Sequence, residues 1–70
     1  MKKNYYMPLI DGKPGLWDKN SEEILFADNC SASTAKTRET VQRWIFNSTI
    51  TDEDNGNEAD YSIQRVTVEI

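Results

Sequence analysis

The 70-residue sequence predicts a small α+β domain. The expected order is β-β-β-α-β, a mostly antiparallel sheet with one helix packed on one face. Three observations predict it. Short apolar runs near the start are separated by Asp-Gly and Asn-Ser turn chemistry. One stretch, residues 34–47, repeats its apolar residues at helical spacing. A last run, Tyr61–Ile70, is strand-like again, with Tyr, Ile and Val.

The elements follow in chain order. Asn4–Ile10 reads as a strand with apolar residues on both faces. Pro8 cannot donate to a ladder, which predicts an edge position or a bulge. Asp11-Gly12-Lys13-Pro14-Gly15 is a turn, with Asp-Gly suited to positive φ. Leu16-Trp17 starts a short second strand, and Lys19-Asn20-Ser21 is a second polar turn. Glu23–Ala27 is a third strand, apolar enough to be buried on both faces. These three form a meander.

Asp28–Ser33 reads as a loop, and Ser33 or Thr34 as the N-cap of a helix running to about Asn47. Thr34, Arg38, Val41, Ile45 and Ser48 share one helical face, flanked by Thr37 and Trp44. The stripe is thin, so the helix needs a sheet beneath it. Asp52–Asp60, centred on Asn55-Gly56, reads as an acidic loop or hairpin tip. In Tyr61–Ile70 the apolar phase changes from odd to even positions, which a β-bulge near Gln64-Arg65 would reconcile. The last strand is free to pair with the first or the third.

Composition bounds the function. Seventy residues make a single domain, 1–70, with a small core. The crude balance of burial against chain entropy is then near zero, so an efficient core or a partner such as a second copy must contribute. No apolar run approaches the ~20 residues a membrane-spanning helix needs. No secretory cleavage pattern follows Lys2-Lys3, and the single Cys30 suits a reducing compartment, so a cytoplasmic location is expected. The sequons at Asn29 and Asn47 are read as chance.

Chemistry is not expected. The chain has no His, and Cys30 has no His partner, so neither a neutral-pH base nor a Cys–His nucleophile is available. The 52–60 segment fails the calcium-loop register, with Gly56 at the fifth position, Asn57 at the sixth and Ile63 at the twelfth. Gly12-Lys13-Pro14-Gly15 is no phosphate loop, because Pro14 removes a donor and no helix follows. No cofactor and no metal are expected.

Binding is the expected activity. Net charge is −4 and uneven: residues 51–70 carry six acids against Arg65 alone. Carboxylates so placed can present negative charge to a basic groove of a nucleic-acid-handling enzyme or complex and steer the encounter. The candidate partner-binding residues are Asp52, Glu53, Asp54, Glu58 and Asp60, with Trp44, Phe46 and Tyr6 as aromatic anchors. Two alternatives stand beside this. One is a sheet-type DNA-binding domain using Lys2, Lys3, Lys13 and Lys19 as a basic patch on the first hairpin, disfavoured by the net charge. The other is a homodimeric accessory protein without chemistry.

Met1-Lys2-Lys3, with Tyr5-Tyr6-Met7-Pro8-Leu9-Ile10-Asp11-Gly12-Lys13-Pro14, resembles the start of many small phage and prophage accessory proteins. The resemblance is one of size, acidic balance and an early strand-turn-strand. It implies an inhibitor of a host defence complex, of the anti-CRISPR type, acting by steric or charge blockade. It transfers no functional residue.

Overall fold

A computed structural model describes residues 1–28 and 31–70. Cys30 and the Asn29 sequon lie outside the described residues. The structure is a four-stranded antiparallel sheet with one helix. The strands are β1 (Lys2–Ile10), β2 (Lys13–Asp18), β3 (Glu23–Phe26) and β4 (Tyr61–Glu69), in the order β3-β2-β1-β4. The helix α1 spans Arg38–Asn55 between β3 and β4. The last strand therefore pairs with the first.

β1 is central, not an edge, although it contains Pro8. The lost donor is accommodated by opening the ladder. β1 pairs with β2 only at Leu9↔Pro14 and Ile10↔Lys13, next to the Asp11-Gly12 turn, whose φ values are 52° and 78°. Beyond Leu9 the two strands part, and Ser33–Ala35 fills the gap. Ala35 exchanges both backbone hydrogen bonds with Tyr6, each 2.8 Å. The Ser33 N–H donates to Gly15 O at 3.0 Å, and its Oγ accepts from the Trp17 N–H at 2.8 Å. Every backbone group these bonds use would otherwise be an unpaired interior donor or acceptor.

The same bonds explain why the helix starts later than Ser33 or Thr34. Those residues' neighbours are held extended against two strands. Thr37 becomes the N-cap, accepting from the Thr40 N–H with a β-region backbone. The helix also ends later, at Asn55 rather than Asn47. Gly56 has φ 73°, and its N–H reaches Glu53 O at 3.2 Å while the Asn57 N–H reaches Asp52 O at 2.8 Å. This pair of bonds is a Schellman stop. The Asn55-Gly56 dipeptide is thus a helix terminus and not a hairpin tip.

β4 pairs with β1 in one uninterrupted register, from Lys2↔Glu69 to Ile10↔Tyr61. There is no bulge at Gln64-Arg65. The phase change has another cause. Tyr61 and Ile63 share the helix-side face with Ile10 and Pro8, their register partners. Val66 and Val68 lie on the opposite face with Tyr5 and Lys3. The helix begins just after Ala35, opposite Tyr6, so the ribbon of residues 2–5 and 66–69 runs past it. The molecule is accordingly elongated, 44 × 23 × 20 Å.

The core is small. Ile10, Ile24 and Val41 are its buried apolar side chains, with Pro8 beside them. Trp17 of β2 and Trp44 of α1 stack with centroids 6.0 Å apart and planes within 8°. β3 is not buried on both faces: Ile24 is buried, Leu25 is exposed on the opposite face, which the helix does not cover, and Phe26, on the same face as Ile24, is exposed as well. Gly15 lies under Ile24, where an added Cβ would meet Ile24 Cγ2 at 2.5 Å and Pro8 O at 3.2 Å. Gly15→Ala is therefore expected to destabilise the fold by about 1–3 kcal/mol through overpacking. A denaturant midpoint equal to wild type would contradict this packing.

Candidate functional site

The C-terminal end of α1 meets the start of β4 and the β1–β2 turn. The Schellman stop sends the chain back so that Tyr61 faces the helix, and the β1–β4 register sets Asp11 beside Asp60. The Asp11 N–H donates to Asp60 O at 2.7 Å, and the Asp60 N–H donates to Asp11 Oδ1 at 3.0 Å. Asp11, Glu53, Glu58 and Asp60 then line one open groove of about 440 Å³ with Asp52 and Tyr61 at its inner wall. Among the described residues no group of three or more His, Cys, Asp or Glu is placed to hold a metal ion.

The inner wall is a directed hydrogen-bond chain. The Ile24 N–H, on the outer edge of β3, donates to Ser48 Oγ at 2.8 Å. Ser48 Oγ lies 2.8 Å from the Tyr61 hydroxyl, and Tyr61 donates to Asp52 Oδ2. Since the Tyr61 proton goes to Asp52, the Ser48 proton points to Tyr61. The Asp52 charge thus anchors a line of donors running from β3 through α1 to β4. Burial, then the bond to Asp52, pushes the Tyr61 phenol up to about 12; the Ser48 bond acts the other way. Ionised, Tyr61 would lose that bond and face the Asp52 carboxylate.

The expected partner-binding residues divide accordingly. Asp52 is not in a free loop: it is buried in the last helical turns and holds Tyr61. Trp44 is engaged by Trp17. Tyr6 is half-buried beside the Ala35 bridge. Glu53, Asp54, Glu58 and Asp60 are exposed, and Phe46 is 65% exposed. Two residues were not expected. Ile50 is exposed four positions after Phe46 and three before Glu53, so the three share a helix face. Their spacing is visible in the sequence once the helix is known to reach Asn55. Asp11 joins the acids from 49 residues away, and no local signal marks it.

The lysines of the DNA-binding alternative do not form one patch. Lys2 and Lys3 begin β1, Lys13 follows its other end, and Lys19 lies in the β2–β3 turn. Lys13 Nζ sits 5.9 Å from the centre of the Phe26 ring.

Ser48→Ala is expected to cost about 1–3 kcal/mol, because it leaves the buried Ile24 N–H without an acceptor. Unchanged stability would mean the chain carries no weight. Tyr61 adds a pH signature. Its folded pKa is above the ordinary 10.0, so its contribution is complete below pH 10 and is lost as pH rises to about 12. Stability should fall across that window, and Tyr61→Phe should remove that part of the fall. In an ultraviolet titration, the phenol that ionises near pH 12 should be absent from Tyr61→Phe.

No protein-family model matches this chain, and neither a curated protein nor a solved structure matches it.

Proposed function

We propose that the protein is a small binding module that docks its acidic end onto a basic surface of a protein partner and acts by occlusion, without chemistry. The observation that carries this reading is the convergence of Asp11, Glu53, Glu58 and Asp60 on one open groove. The carboxylates come from three separate places in the chain, and the fold gathers them at one end. Phe46 and Ile50 extend the same helix face away from the acids, offering an exposed apolar anchor beside the charge. A surface of this kind suits a partner whose own groove is basic with an apolar margin. A protein that binds nucleic-acid phosphates has such a groove, so the proposed partner is a nucleic-acid-handling or host-defence complex. The negative end would take the place of phosphate, and the bulk of the domain would block access.

The test is an affinity capture of the tagged chain from bacterial lysate at low and high salt, with mass spectrometry of what is retained. A nucleic-acid-processing complex held at low salt and released at high salt is the expected result. The triple variant Glu53→Gln, Glu58→Gln, Asp60→Asn should cut retention by about tenfold or more, mostly through slower association. Phe46→Ala should weaken retention without changing its salt dependence. Retention that ignores both salt and the triple variant would rule the reading out.

A further inference from the structure

The two edges of the sheet differ. β3 has four residues, and the outward N–H of Ile24 is taken by Ser48 of the helix. That edge is short and is capped by the helix at Ile24. β4 has nine residues, contains no Pro or Gly, and no described strand lies beyond it. A long edge of that kind is a template for another strand.

The hydrogen-bond phase of β4 is fixed by its two ends. The Asp11 N–H donates to Asp60 O, and the Ile70 N–H donates to Met1 O, each at 2.7 Å. In an unbroken antiparallel ladder the bonded positions alternate, so residues 62, 64, 66 and 68 also turn their backbone groups to β1. Tyr61, Ile63, Arg65, Thr67 and Glu69 turn theirs outward.

We propose that β4 is a self-association edge, and that two copies of this chain join antiparallel through it about a two-fold axis at Val66. The register follows from charge and phase. A two-fold that continues the sheet must pair outward residues with outward residues. An axis at Arg65 sets Arg65 against its own copy, which repels. An axis at Gln64 sets Arg65 opposite Ile63. An axis at Val66 sets Arg65 opposite Thr67 and diagonal to Glu69 of the other copy, within reach of a long side chain. Val66 then meets Val66 on the outer face, and Val68 lies next to it. That face otherwise leaves Val68 42% exposed.

Two further features fit a second copy. The net charge of −4 opposes self-association, but this axis sets the acidic ends far apart. Five residues of strand separate Tyr61 from Val66 in each copy, which puts the two Tyr61 positions roughly 33 Å apart. That is well beyond the ~8 Å screening length at physiological salt. The ribbon that runs past the helix also gains a neighbour. Two strands alone are marginal in water, and here each ribbon would pair alongside the helix-backed half of the other copy. The acidic groove remains free, so this proposal does not depend on what that groove binds.

Sedimentation equilibrium of the full chain tests it, with the mass rising from 8.1 kDa toward twice that value as concentration increases. Thr67→Pro removes an outward N–H and keeps the backbone ladder to β1, losing only the exposed hydroxyl bond from Thr67 to Asn4 Oδ1. It should weaken the dimer by about tenfold or more while the monomer keeps the wild-type circular dichroism. Arg65→Glu should also weaken it, and Arg65→Glu with Glu69→Arg should restore it. A chain that stays at the monomer mass up to millimolar concentration overturns the proposal. So does a dimer that Thr67→Pro leaves intact, or one that the charge exchange fails to restore.

Discussion

Pro8 has no amide hydrogen, yet it stands in β1, one of the two strands bordered on both sides. The rest of the structure follows from how that missing donor is placed. A central strand tolerates proline only where its ladder is already open, so β2 leaves β1 after two residue pairs. The opening would strand the backbone of Tyr6, Gly15 and Trp17. Ser33–Ala35 enters the gap and satisfies all three. That insertion holds the chain extended as far as Ala35, and the helix can begin only after it.

From that starting point the helix has a fixed position over one face of the sheet. Val41 reaches the core, Trp44 stacks on Trp17, and Ser48 arrives at the outer edge of β3. The apolar core is thin, and part of the joining is polar. The chain from Ile24 through Ser48 and Tyr61 to Asp52 ties three elements with one line of hydrogen bonds. Such a line holds only when every member has its partner. Among the described residues no buried side-chain polar atom lacks one.

Charge and apolar surface are thereby sorted to different ends. The acids gather where the helix stops and β4 starts, next to the β1–β2 turn. The far ribbon carries Tyr5, Val66 and Val68 on its outer face and extends beyond the helix. A domain with few fully buried side chains leaves much of its apolar surface for contact with others. The two proposed contacts use different surfaces, the acidic end and the outer edge of β4, and the β3 edge takes part in neither.

The sequence by itself determined the elements and their order. Alternation marked the strands, helical spacing marked α1, and Asp11-Gly12 marked the first turn, because these signals act over a few residues. Helix limits were less legible. Ser33 was legible as a polar residue before a helix, but its hydrogen bonds go to Gly15 and Trp17, two strands earlier. Asn55-Gly56 was legible as a chain reversal, yet a Schellman stop and a hairpin tip use the same positive φ. The acidic set was partly legible: Glu53, Asp54, Glu58 and Asp60 lie within eight residues and are exposed in the structure, and all but Asp54 line the groove. Only the tertiary structure took Asp52 out of that set and brought Asp11 into it. Burial against Tyr61 decided the first, and pairing across 49 residues decided the second. Local chemistry fixes what a segment becomes. Which of its polar groups stay free depends on the neighbours that the sheet register delivers.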